Sequence, residues 1–296
     1  MDGCLHHVTT DELPDLRDWL VQYLPDSFKI YSVVKETING RWQGTSLLTL
    51  GWPNILAVGE GPTSSQDIEC AQYFNDPPLV SVFSPSHDHL KQLLTAPGYL
   101  DWTKPILFHF VCTRNTTTIQ EVSESRGGNP QRAYRHGIKL IAKSGDIPLL
   151  PVPDGFEARA LDPDTHTDLI LSRWHHARKN ADLYIRETLR RFPSVGLFDK
   201  RSGMCVAHEM GTKNGTIGRL YVHEDYRRRG LGKLTTSLLA NQYFSQGLDV
   251  AILVFATNTL SLDMHSRMGF KVDGDGDFYT HYIGNPEDHE DILNFG

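Results

Sequence analysis

The stretch Leu220-Tyr221-Val222-His223-Glu224-Asp225-Tyr226-Arg227-Arg228-Arg229-Gly230-Leu231-Gly232-Lys233 decides how this chain is read. Apolar Leu220 and Val222 alternate as in a strand, Glu224 and Asp225 mark a turn, and three arginines precede two glycines. A helix then follows over Gly230 to Phe244, with Leu231, Leu234, Leu238 and Leu239 on one face. The first turn of a helix leaves backbone N–H groups unpaired, and its dipole favours negative charge there. Glycines let a ligand approach the backbone closely, and Arg227, Arg228, Arg229 and Lys233 supply charge opposite to a phosphate. Two familiar phosphate motifs are excluded. A P-loop ending at Gly232-Lys233 needs glycine where Arg227 stands, and a dinucleotide fingerprint needs a third glycine near Thr235.

The sequence around this stretch reads as an α/β domain with a mixed sheet. Upstream, Phe156 to Leu161 reads as a strand, Thr165 to Lys179 and Asp182 to Phe192 as helices, and Val195 to Phe198 and Met204 to Met210 as strands. Lys213-Asn214-Gly215 supplies a hairpin turn into a strand from Thr216 to His223, because Asn-Gly tolerates positive φ. Downstream come an apolar strand, Val250 to Ala256, a helix, Thr259 to Met268, and a last strand pair opened by Gly269-Phe270 and running through Asp277 to Ile283.

Gly127, Gly128, Pro130, Gly145, Pro148, Pro151 and Pro153 mark a connection over 126–153, with a short helix expected inside it near Arg132 to Lys143. This divides the chain into 1–125 and 154–296. In the first part, Asp11 to Leu24 reads as a helix, and Phe28 to Val34, Thr45 to Leu50, Ile55 to Val58, Leu79 to Phe83 and Ile106 to Cys112 as strands. No basic glycine loop occurs there; Gly59-Glu60-Gly61-Pro62 reads as a turn that presents a carboxylate where a phosphate would sit.

The pattern Arg227-x-x-Gly230-x-Gly232 resembles the acyl-CoA pyrophosphate loop of the GNAT superfamily of N-acyltransferases. In that superfamily the loop joins the fourth strand to the third helix. A fifth strand, an Asn, a helix and a Gly-Phe turn follow, as do Val250 to Ala256, Asn258, Ser261, Met264, His265 and Met268-Gly269-Phe270 here. Leu161, Pro163, His166, Leu169, Trp174, Ile185, Phe192-Pro193 and Tyr226-Arg227 are similar to the glycine N-acyltransferase-like group. The resemblance implies two tandem GNAT-like domains with mixed, largely antiparallel sheets. The first, 1–125, is a degenerate copy, and the second, 154–296, binds acyl-CoA and is catalytic.

The activity so implied is transfer of an acyl group from acyl-CoA or acetyl-CoA to the amine of a small acceptor, such as glycine or another amino acid. Two alternatives stand beside it: acetylation of protein N-termini or lysines, and a catalytically reduced CoA-binding module. The pyrophosphate is expected on Arg227, Arg228, Arg229, Gly230, Leu231, Gly232 and Lys233, and the pantetheine arm along the backbone near Leu220 and Val222, with Asn258 also at the cofactor. His265 stands where many members of the superfamily place a tyrosine acid, and an imidazolium can protonate a departing thiolate. The group's base is a glutamate at the start of the fourth strand; here that position is Thr216, and Glu209 on the neighbouring strand is the nearest carboxylate, with His208 and Asp225 behind it.

Composition limits the partners. The 296 residues carry 29 Lys and Arg against 36 Asp and Glu, a net charge of −7, which argues against a dedicated nucleic-acid binder. No apolar run approaches the ~20 residues that span a bilayer. Cys4, Cys70, Cys112 and Cys205 are scattered and form no metal or disulfide pattern, and His87 and His89 have no third ligand beside them, so no metal site is expected. The acidic N-terminus resembles neither a signal nor a transit peptide, giving a cytoplasmic expectation, with mitochondria possible by family resemblance.

Overall fold

The computed structural model describes residues 5–174 and 177–293. Cys4 lies outside them, and Cys70, Cys112 and Cys205 are buried free thiols. The chain forms two compact units. One runs to Gly137 and takes back the chain from Gly274 onward, with a short piece ending at Ala181; the other begins at Ile138 and includes Asp182–Asp273.

The first unit contains β1 (Leu5–His7), α1 (Leu13–Val21), α2 (Phe28–Ile38), β2 (Thr45–Leu50), β3 (Ala57–Thr63), α3 (Ala71–Asn75), β4 (Leu79–Val80), β5 (Val82–Phe83), α4 (His87–Thr95), β6 (Ile106–Val111) and α5 (Thr113–Ser125). Strands β1, β2, β3 and β5 pair antiparallel in that order, while β6 runs parallel to β4. Leu13, Leu16 and Leu20 of α1 and Ile30 and Val34 of α2 close over Leu47, Val58 and Phe83 of the sheet. Two readings of this half are corrected. Phe28–Ile38 is helical, because Ile30, Val33 and Val34 are the buried set and their spacing fits a helix face rather than strand alternation. Gly59 to Pro62 is no turn: it lies inside β3, where Gly59 pairs with Leu48 on one side and Val82 on the other, and the buried Glu60 accepts from the Ser81 N–H.

The expected helix near Arg132 to Lys143 is instead β7 (Tyr134–Ala142). Leu140 and Ala142, with Ile138 beside them, enter the core of the second unit at every second residue, the period of a strand. Then follow β8 (Phe156–Arg159), α6 (Thr167–Ser172), α7 (Ala181–Arg191), β9 (Ser194–Asp199), β10 (Cys205–Gly211), β11 (Ile217–Val222), α8 (Leu231–Phe244), β12 (Val250–Phe255), α9 (Thr259–Met268), β13 (Lys271–His281) and α10 (Glu290–Leu293). The helix expected over Thr165 to Lys179 is confined to α6, and the last strand pair is the single strand β13, antiparallel to β6.

In the second unit, β8, β9, β10 and β11 form an antiparallel sheet, and β12 pairs with β7. The Thr212 N–H donates to the Thr216 carbonyl at 2.8 Å, and Gly215 has φ 66°, closing the expected β10–β11 hairpin. Leu231 and Leu234 of α8 cover one face of the sheet with Leu197, Val206 and Ala207. Ile170 of α6 and Ile185 and Leu189 of α7 cover the other with Phe198, Cys205 and Met210. No helix among the described residues is long and apolar enough to cross a membrane.

Candidate functional site

Strands β11 and β12 meet at one parallel bridge, Thr216 to Ala251. Beyond it, among the described residues, β11 keeps only β10 as a partner and β12 only β7, so the two strands diverge and leave a wedge between two sheet edges. At its apex, Thr212 and Thr216 bond through their hydroxyls at 2.8 Å. The β10–β11 register helps to produce the divergence. Met210 faces Gly218 and His208 faces Tyr221, so β11 carries one extra residue, and Arg219 sits there at φ 56°. A bulge of this kind bends a strand and re-aims its side chains. The outer edge of β11 is left with backbone groups able to pair with an extended ligand.

At the open end of the wedge, β11 leads through the acidic turn into α8. Gly230 caps this helix at φ 78°, in the left-handed region that favours glycine, and a Cβ placed on it would meet nothing within 4 Å. The N–H groups of the first turn have no partner within the helix. Gly232 is turned inward: its Cβ position lies 3.6 Å from Met264 Sδ of α9 and from Val222, and 3.7 Å from Leu220. The loop is held from its own side. Arg227 Nε donates to the Val222 carbonyl at 3.1 Å, Arg229 to the Asp225 carbonyl at 2.8 Å, and the Tyr226 hydroxyl to Asp199 at 3.0 Å. Arg227, Arg228, Arg229 and Lys233 are exposed, and no acidic residue stands in the first turn of α8. Cationic side chains, orphan N–H groups and an unpaired strand edge thus converge, a set that suits a diphosphate carrying an amide-containing arm. The structure brings Leu220, Val222 and Arg227 to Lys233 together as expected. Asn258 instead caps α9, its side-chain oxygen accepting from the Ser261 N–H at 3.2 Å.

The titratable candidates lie in three different environments. His265 on α9 is 2% exposed, and its Nδ1 lies 2.8 Å from the Ser261 carbonyl, to which it donates. Burial lowers its pKa below the usual 6.5, so the ring rests neutral, with Nε2 as the bare nitrogen and no partner on it. Glu209 lies on the face covered by α8, where Thr236 donates to its carboxyl at 2.8 Å. Burial raises its pKa to about 8, so at neutral pH most of the carboxyl is protonated. His208, its neighbour in β10, stands on the opposite face, with its ring stacked 5.6 Å from that of Tyr221. Burial and the nearby charge of Arg173 lower its pKa to about 3.

Two residues on the α6–α7 side escape the sequence reading. The Arg219 guanidinium lies 4.0 Å over the Trp174 ring and 5.1 Å from that of Tyr184, and the Arg173 guanidinium lies 4.4 Å over Tyr221. Arg219 is aimed at these rings by the bulge in β11, for which a single sequence carries no signal.

Residues 194–278 match the FR47-like protein family. This stretch runs from β9 into β13 and contains the basic loop, α8 and α9. No curated protein matches the chain by sequence. Among solved structures, a Drosophila protein aligns over 94% of this chain and 98% of its own, at 18% identity and a TM-score of 0.78. A tandem GNAT protein from the clavulanic acid biosynthesis pathway covers 95% and 99% at 12% identity, with a TM-score of 0.54. A GCN5-related N-acetyltransferase-like protein from Streptococcus suis covers 93% and 100% at 14% identity, with a TM-score of 0.55. At these identities the likeness is one of fold: the chain has the GNAT fold in tandem.

Proposed function

We propose that this tandem GNAT-fold chain is an acyl-CoA-dependent N-acyltransferase that acylates the amine of a small acceptor such as glycine or another amino acid. The observation that carries the reading is the wedge between β11 and β12, whose open end is lined by the glycine loop, the cations and the start of α8. The N–H groups from Arg228 to Gly232 hold the pyrophosphate, and the free edge of β11 at Leu220 and Val222 pairs with the pantetheine amides. One of the N–H groups along that edge polarises the thioester carbonyl as negative charge develops on its oxygen.

An amine attacks only once it has lost a proton, and the leaving thiolate must gain one. The neutral ring of His265 can serve both needs in sequence. Nε2 accepts the proton that the ammonium gives up before attack and passes it to the departing sulfur, the second proton of the nitrogen leaving to solvent as the amide forms, while the Ser261 carbonyl holds Nδ1–H and the ring's orientation. Thr216 stands where the related enzymes have a glutamate, and its hydroxyl is bonded to Thr212, so this proton route differs from theirs.

Calorimetric titration with CoA tests the binding half of this reading. One CoA per chain is expected, since the first unit has no basic glycine loop. Gly230→Asp adds a side chain and a negative charge against the phosphates and should weaken binding at least 10-fold. Unchanged affinity in this variant, or two sites per chain, contradicts the assignment.

A further inference from the structure

We propose that Arg173 and Arg219 form the subsite that grips a carboxylate on the acceptor, making them the residues that select amino-carboxylates over simple amines. The inference rests on the acyltransferase reading for the identity of the reaction and on separate observations for the subsite itself.

The first observation is where the two cations sit. Both belong to the face of the β10–β11 pair that α6 and α7 cover, and Arg219 stands three residues from the wedge apex, at the bulge. Each guanidinium packs over aromatic rings, Arg219 over Trp174 and Tyr184, Arg173 over Tyr221. Packing of this kind fixes the plane of a guanidinium and leaves its N–H edge as the reactive side.

The second observation is that these edges are incompletely paired. Arg219 Nε and Arg173 Nη1 are buried atoms with no hydrogen-bond partner among the described residues. Arg173 Nη2 donates to the Cys205 carbonyl at 3.1 Å, and no carboxylate forms an ion pair with either arginine among the described residues. His208, 1% exposed, lies beside them, and neither of its ring nitrogens has a hydrogen-bond partner among the described residues. Both side chains are half-buried, but these N–H groups are out of water without partners, and a buried polar group without a partner is costly. An anion bound at these N–H groups removes that cost. A carboxylate matches the flat fork of N–H donors better than any uncharged group.

The third observation is orientation. Leu220 and Val222 face Gly232 of α8, so Arg219 and Tyr221, which alternate with them, face the α6–α7 side. The two arginines thus stand across β11 from the loop assigned to the CoA phosphates. An acceptor anchored there by its carboxylate presents its amine toward the strand along which the thioester is proposed to lie.

The test measures binding and turnover with the full chain. N-acetylglycine, which carries the carboxylate and the acylated nitrogen of a product, is titrated calorimetrically against wild type, Arg219→Gln, Arg219→Lys and Arg173→Gln, with N-acetylglycinamide as the uncharged control. Turnover of acetyl-CoA is measured with glycine and with glycinamide. Loss of one charge-assisted bond predicts that Arg219→Gln weakens N-acetylglycine binding and raises the KM for glycine about 10- to 100-fold. The amide ligands should change less than about 3-fold, and Arg219→Lys should recover part of the loss. Equal losses for carboxylate and amide, or no difference in affinity between N-acetylglycine and its amide in wild type, overturn the subsite. Arginine-dependent carboxylate binding without turnover of any amine sustains the subsite and rejects the acyltransferase reading. Turnover without carboxylate preference does the reverse.

Discussion

Glu209 shows how one buried residue sets a pH dependence. Its carboxyl titrates near the ordinary 4.5 when the chain is unfolded and at about 8 when folded, because burial penalises the charged form. Between those values the unfolded chain has released this proton and the folded chain still holds it, so stability falls as pH rises, by roughly 1.4 kcal/mol per unit. The loss is complete once pH passes the folded value. Glu209→Gln keeps an acceptor for Thr236 and removes the titration. Chemical denaturation should find the variant more stable than wild type at pH 8, by several kcal/mol at most, and little different at pH 4.5. A wild-type stability that does not fall between these pH values would show that the carboxyl is not held neutral. His208 has the opposite sign: its pKa is lowered to about 3, so it costs stability as pH falls below about 6.5. At this scale the sequence was a partial guide. Gly230 and its cations stand where their types suggested, but nothing in the string Ala207-His208-Glu209-Met210 tells which side of the sheet each residue faces, because that follows from register shifts at Cys205–Ala207 and His208–Met210.

Among the elements, α9 joins the two halves of the proposed chemistry. Met264 lies against Gly232 at the wedge, while His265 turns into the fold, against the edge of Phe270 and with its Nδ1 on Ser261 of the previous turn. If the ring carries the amine's proton to sulfur, His265→Phe should lower kcat by about 10²- to 10⁴-fold. The Kd for CoA should change little, because the proton moves only during reaction. His265→Tyr should restore part of the rate. In wild type, kcat/KM should lose activity only below pH 6.5, where the ring with its lowered pKa becomes charged. Equal kcat in wild type and the Phe variant returns His265 to a packing role. The elements around this helix were the most legible part of the chain, since α7, α8, β12 and α9 each lie within a residue or two of the ends that hydrophobic periodicity and caps suggest. Strand β7 and helix α2 were misread for one reason: short β-branched or mixed apolar runs fit either period, and the packing partner decides between them.

Over the whole molecule, the tandem fold matches solved structures along nearly the full chain, yet the features on which the proposed chemistry rests gather in the second unit. The division of the chain was only partly visible in the sequence. Prolines and glycines drew attention to 126–153, but β7 and β13 each contribute residues to both units, an arrangement that composition cannot signal. The central claim is that the wedge and its loop transfer an acyl group from CoA to an amine, and release of free CoA thiol measures that transfer directly. Purified protein is supplied with acyl-CoAs of increasing chain length, each with and without a panel of free amino acids. The account predicts thiol release that requires both substrates, occurs with at least one amino acid, and falls at least 10-fold in Gly230→Asp. Tight CoA binding with no amine-dependent thiol release from any acyl-CoA would contradict it.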